Sequence, residues 1–203
     1  MHIEFLVEEE SAEVALYNLV PEIIGSAISF GVHVFQGKRD LLNQLPRRLV
    51  AYSRWIPQTW RIVVLVDEDR QDCHSLKGEL EQAARRAGLT TRSMVNPNQS
   101  FQVLNRVAIE ELEAWFFGDI EALRRAYPRI PHHLASRKGY RNPDAIKGGT
   151  WEALERELKR VGYFSGGLPK IEVARTVSAF MNPDRNGSRS FQVFRDGLRA
   201  IVS

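Results

Sequence analysis

The sequence predicts an α/β fold in which a small, mainly parallel sheet lies between helices, with a helical extension at the C-terminal end. Two observations carry that expectation. Short runs rich in β-branched residues, above all 62–66 (IVVLV), have the composition of strands buried on both faces of a parallel sheet. They alternate with segments whose apolar residues recur at helical spacing, and strands separated by helices pair in parallel through right-handed crossovers.

Taken in order, residues 3–7 form a short strand that ends in Glu8, Glu9 and Glu10. Ser11 is placed as the N-cap of a helix carrying Val14, Leu16, Leu19, Val20, Ile23 and Ile24. Residues 30–35 (FGVHVF) alternate as a strand does, and 41–55 follow as a helix in which Pro46 marks a kink or a restart. Arg47, Arg48 and Arg54 read as solvated face. The central strand runs into Asp67, Glu68 and Asp69, after which a charge-laced helix over 76–87 closes at Gly88. Residues 90–95 read as another short strand. A further strand over 102–109 leads into a helix that opens with Glu110, Glu111 and Glu113, where Glu110 and Glu113 share a face and Trp115 and Phe116 fill the core. A short amphipathic helix over 119–127 completes the core.

Residues 128–203 are expected to form an irregular loop plus a helical extension packed on the 1–127 core as part of one compact unit. The stretch 129–150 is rich in Pro, Gly, His and basic residues and lacks periodicity, as an exposed excursion does, so His132 and His133 read as solvated. A charged helix over 151–161, a flexible turn over 162–168 and a helix begun by Pro169 follow. The tail ends in a docking helix carrying Phe191, Val193, Phe194, Leu198 and Ile201.

Composition narrows the function classes. In a chain of 203 residues that is 43% hydrophobic, one sheet-centred core with an appendage is expected. The single cysteine, Cys73, rules out an internal disulfide and cysteine-rich zinc sites, and fits a reducing cytoplasm. The acidic amino terminus lacks the pattern of a secretory signal, and no run approaches the length of a membrane span. A net charge of +3 argues only weakly for nucleic acid, although basic residues crowd 38–54, 124–147 and 185–199. No glycine-rich loop ends in Gly-Lys-Ser/Thr, so a P-loop enzyme is not supported.

The acids at strand ends are the candidate site. Ligands of open α/β sheets bind outside the carboxyl ends of the strands, where Asp67 and Asp69, two apart in an extended segment, project to the same side. The fold also brings the end of the first strand to that edge, so Glu8 converges on them. Hard carboxylates suit Mg²⁺ or Mn²⁺ better than Zn²⁺. Caps and solvated turns use the same residue types, and a helix dipole by itself favours Glu110, Glu111 and Glu113 in a first turn. Lys170 also lies in a first turn, where the dipole opposes it, which favours a specific role.

Several stretches together resemble a known family: FLVEEESAE, VVLVDEDRQDC, AIEELEAWFFGDIEALRRAYP, KGGTWEAL, LPKIEVARTVSAFM and NGSRSFQVFRDGL. The chain is similar to the Toprim-related family of uncharacterised proteins that includes the AriB effector of PARIS anti-phage systems, and distantly to RloB proteins. The resemblance implies a Toprim-like fold with a metal site in which Glu8 takes the glutamate position, Asp67 and Asp69 the Asp-x-Asp pair, and Glu113 a recurring acidic position with Glu110 and Glu111 nearby. Relatives commonly carry glycine directly after the first glutamate, where this chain has Glu9.

The expected function is Mg²⁺- or Mn²⁺-dependent hydrolysis of phosphodiesters in RNA, tRNA included, or DNA, as a defence-system effector. Asp67 and Asp69 are the principal ligands, Glu8 a ligand or general acid/base, Glu113 a further ligand, and Lys170 the group that stabilises charge on the phosphate. A second expectation is a non-catalytic nucleic-acid- or protein-binding module held by an ATPase partner, which the resemblance also implies, as it does a homodimer. A third, a receiver-like phosphoacceptor, shares the acids, the Mg²⁺ and the lysine but leaves Glu110, Glu111 and Glu113 unused.

Overall fold

Four strands make the sheet: β1 (His2–Val7), β2 (Ser29–Val34), β3 (Trp60–Asp67) and β4 (Val103–Ala108). They are all parallel, in the order β2-β1-β3-β4, in a computed structural model that describes residues 1–69, 71–97 and 99–203. The helices are α1 (Glu10–Ile24), α2 (Lys38–Ser53), α3 (Cys73–Arg86), α4 (Glu113–Gly118), α5 (Ile120–Ala126), α6 (Thr150–Arg160), α7 (Lys170–Ser178) and α8 (Arg189–Val202). The result is an α/β fold whose small parallel sheet is flanked by helices, with the last three helices forming a C-terminal extension.

Alternation of side chains along each strand divides the core in two. Ile3, Phe5, Val7, Val63 and Leu65 face one way, into a cluster shared with α1, α4, α7 and α8; Leu6, Ile62, Val64 and Val66 face the other, against α2 and α3. Trp115, Phe116, Phe191 and Phe194 are fully buried in the first cluster, each worth roughly 1.5–3 kcal/mol as burial of a large apolar side chain. Val193, expected beside them, points outward at 38% exposure.

The strand order places the site. From β1 the chain moves outward to β2 on one side, then returns to lay β3 on the other, so the winding reverses between β1 and β3. The crevice beyond their carboxyl ends is the topological switch point, where open α/β sheets take ligands.

Three local expectations are corrected. Residues 90–95 form no strand: Thr91 makes one bridge to Val103 and Arg92–Met94 turn as a 3-10 helix. The hydroxyls of Thr91 and Ser93 donate to Glu81 Oε2, side-chain bonding that competes with a ladder. Pro46 does not restart the helix, because α2 runs continuously through it. The N-cap of α1 is Glu9, not Ser11, whose hydroxyl donates to Glu9 Oε1 at 2.5 Å. Gly88, by contrast, takes the left-handed conformation (φ 73°) that follows a helix end.

Candidate active site

Glu8 and Asp67 meet at the switch point. In the β1–β3 register Val7 pairs with Leu65, so the residue that leaves β1 lies level with the end of β3. Glu8 is 7% exposed, and its Oε1 accepts the Asp67 backbone N–H at 2.6 Å, across 59 positions of sequence. Asp69 is turned aside. It sits in the left-handed region (φ 52°), is exposed, and forms an ion pair with Lys38 Nζ at 2.6 Å. The same ammonium donates to the Glu68 carbonyl at 2.9 Å, which ties α2 to the turn after β3.

The three neighbouring acids after β4 have three different fates. Glu113, at the start of α4, is 1% exposed, and its Oε2 has no hydrogen-bond partner among the described residues. Glu111 caps α6: its Oε2 accepts from Thr150 Oγ1 at 3.0 Å and from the Trp151 N–H at 2.7 Å. Glu110 shares no helix face with Glu113, because it lies before α4 with φ 61°. Its backbone joins the β3 turn instead, donating to Glu68 Oε2 at 3.1 Å and accepting from the Asp69 N–H at 2.8 Å. Lys170, in the first turn of α7, stands 3.8 Å from Glu9 Oε2, with its ammonium 4.8 Å over the Trp151 ring.

The electrostatics follow from this crowding. Burial raises Glu8 to about 7, against the stabilising Asp67 N–H and with repulsion from Asp69 adding to it. Burial likewise lifts Glu113 to about 7, with Lys170 opposing the rise. Asp67 is raised well above the ordinary carboxylate range, first by burial and then by the charges of Glu8, Glu113, Glu9 and Asp69. Burial works against the charge on Lys170, but the field of Glu113, Glu9, Glu111 and Asp67 prevails and holds it above an ordinary lysine. Glu110 is raised by burial and by Glu68 and Glu111, outside the group around Asp67.

Among the described residues no three His, Cys, Asp or Glu side chains stand together in a metal-holding arrangement. The donor chemistry nonetheless fits a hard dication: the acids offer oxygen alone, and Glu113 Oε2 is a buried acceptor with nothing to accept.

Sequence patterns did not reveal what positions Glu113. Trp115 Nε1 donates to Ser190 Oγ at 3.0 Å, and the Trp115 carbonyl accepts from Asn186 Nδ2 at 2.8 Å. Ser188 and Ser190 hydroxyls both donate to Asp144 Oδ1, at 2.7 and 3.1 Å. Arg185 grips the fully buried side chain of Asp119 with two bonds of 2.8 and 2.9 Å. The NGSRSF stretch therefore fastens α8 to α4. The only sequence hint was polar residues next to an apolar helix, which is common at any cap. His132 and His133 are exposed and meet edge to face, with ring centroids 5.4 Å apart.

No curated protein and no solved structure gives a match to the chain. One family model does, over residues 7–199, which takes in Glu8, Asp67, Glu113 and Lys170 along with the clasp between α4 and α8. The chain belongs to the family described as a domain of unknown function (DUF4276).

Proposed function

We propose that the protein is a Toprim-like, Mg²⁺- or Mn²⁺-dependent nuclease that hydrolyses phosphodiesters of RNA, tRNA included, or DNA, as an effector of the kind found in anti-phage defence. The observation that carries this is the meeting of Glu8 and Asp67 at the switch point, where the charges of Glu113, Glu9 and Asp69 also bear on Asp67 and Glu113 Oε2 has no partner among the described residues. Like charges buried together are costly, and a dication removes the conflict. Asp67, Glu8 and Glu113 would hold the ion, with Asp69 joining when it releases Lys38. The chemistry the ion supplies when bound is Lewis-acid stabilisation of charge building on the attacked phosphodiester.

The chain's own groups do the rest. Glu8, raised to about 7, exchanges a proton readily near neutrality, as a general acid or base requires. Lys170, held cationic by its acidic neighbours, faces negative charge developing on the phosphate. A non-catalytic module, held by an ATPase partner, is favoured by the internal commitment of two of the acids: Asp69 is engaged by Lys38 and Glu8 by the Asp67 N–H.

The test is cleavage of tRNA, single-stranded RNA and duplex DNA with Mg²⁺ or Mn²⁺, beside thermal melts in the same ions. Nuclease action requires cation-dependent cleavage, a cation-dependent rise in melting temperature, and a loss of at least about a hundredfold in rate in Asp67→Asn, with folding retained. Unchanged cleavage by Asp67→Asn removes the site assignment. Absence of both cleavage and cation stabilisation favours the binding module.

A further inference from the structure

A second recess, of about 890 Å³, opens between β1, β2 and α2 on the face that also carries Leu6. It is separate from the acid site: four residues of strand put Glu4 roughly 13 Å from Glu8. Its volume is within the range of small-molecule pockets.

Glu4 lines this recess, with its carboxylate only 11% exposed on a strand where a charge is expensive to bury. Three groups hold it in place. His2 Nε2 donates to Oε1 at 3.0 Å, His33 Nε2 to Oε2 at 2.6 Å, and the Tyr52 hydroxyl reaches Oε2 at 3.5 Å. Oε1 keeps a lone pair free, and the long Tyr52 contact is easily exchanged for a shorter one.

The walls are aromatic. Tyr52, Trp55 and Trp60 form a chain, with centroids 5.4 Å apart for Tyr52 and Trp55 and 5.7 Å for Trp55 and Trp60. Trp55 is 56% exposed, a large apolar surface left open beside a cavity. Arg47 and Arg48 stand on the α2 wall.

These features select a guest by elimination. Two guanidinium groups on one wall disfavour a cation, even though a carboxylate among aromatic rings is otherwise a cation site. The carboxylate disfavours a guest that is anionic throughout. A sugar phosphate has no flat face for the tryptophans. What remains is a planar aromatic edge bearing adjacent N–H donors, joined to an anionic tail. We infer that this recess binds a guanine nucleotide, its N1–H and N2–H₂ donating to Glu4, its ring stacked on Trp55 and its phosphate directed to Arg47. Adenine presents no such pair of donors on one edge, so the carboxylate also sets the preference. The same base reaches the pocket either as a free nucleotide or as a residue of a single strand.

Trp55 and Trp60 are two of the chain's four tryptophans, so titration with guanosine 5′-monophosphate should quench intrinsic fluorescence. We expect saturable binding, at least about tenfold tighter than for adenosine 5′-monophosphate. Glu4→Gln should reduce the guanine nucleotide to the adenine level. Trp55→Ala, at an exposed position that leaves the fold intact, should weaken both, and Arg47→Ala should weaken the monophosphate but not guanosine. A guanine-containing trinucleotide that binds tighter than the monophosphate assigns the pocket to a strand; equal binding assigns it to the free nucleotide. Equal affinity for the two monophosphates, or Trp55→Ala binding as well as the native protein, overturns the assignment. So does the absence of saturation at about 1 mM.

Discussion

Glu81 and Glu113 are both buried glutamates beside the same sheet, and they are treated in opposite ways. Glu81, on α3, has both oxygens occupied: Lys77 at 2.8 Å and Asn105 Nδ2 at 3.0 Å on Oε1, and the Thr91 and Ser93 hydroxyls on Oε2. Against the cost of burial, these four donors hold it down at about 2. Glu113 has Lys170 only as a distant charge, an unpartnered Oε2, and a value lifted to about 7. A carboxylate that serves the fold is surrounded by donors. One left unsatisfied at a switch point, among other acids, stores a tension that the fold itself does not need.

The largest expected effect is on the pH dependence of stability without added metal. Glu8 and Glu113 have folded values near 7, above their unfolded value of 4.5, so the folded state binds the extra protons. Their contribution is therefore complete below pH 4.5 and is lost as pH rises through 7, by up to about 3 kcal/mol each. Glu81 has the opposite sign: its contribution is present above 4.5 and is lost as pH falls toward 2. Urea unfolding should thus show greatest stability near pH 5, and millimolar Mg²⁺ should flatten the decline toward 7. Stability rising from pH 5 to 7 without metal breaks the contrast.

A smaller effect comes from making the same isosteric change at both positions. Glu81→Gln should cost about 2 kcal/mol, because Lys77 and two hydroxyls lose a charged acceptor. Glu113→Gln at pH 7.5 should be neutral or stabilising, while removing cation-induced stabilisation. Chemical denaturation of the two variants reads both signs, and equal losses would place Glu113 among the structural acids.

The smallest effect sharpens the view of the clasp. Ser190→Ala leaves the Trp115 indole N–H without its acceptor and should cost about 1 kcal/mol. Cleavage should fall with it, because α4 carries Glu113. A loss of stability with unchanged cleavage would show that the clasp serves folding alone.

The order of strands and helices was legible because apolar period and turn residues are local signals. The exception is instructive: residues 90–95 have strand-like composition, yet Thr91 and Ser93 bond to Glu81, a partner that local sequence does not announce. The acids divide in the same way. That Glu8 and Asp67 lie at strand ends could be read from the short, mainly apolar run before each. That Glu110 would turn away with φ 61° and Glu111 would cap α6 could not, since both depend on segments 39 or more residues distant or on a backbone turn with no glycine to mark it.

By itself the sequence determined the alternation of parallel strands and helices, the lack of any internal disulfide, and acids at the ends of two strands. Only the tertiary structure decided which carboxylates are burdened and which are relieved. It seats Glu8 against the Asp67 N–H, gives Asp69 to Lys38, and leaves Glu113 Oε2 with no donor among the described residues. The physical reason is that burial and Coulomb repulsion depend on distances across the fold, and these are set by packing between elements rather than by the spacing of residues along the chain.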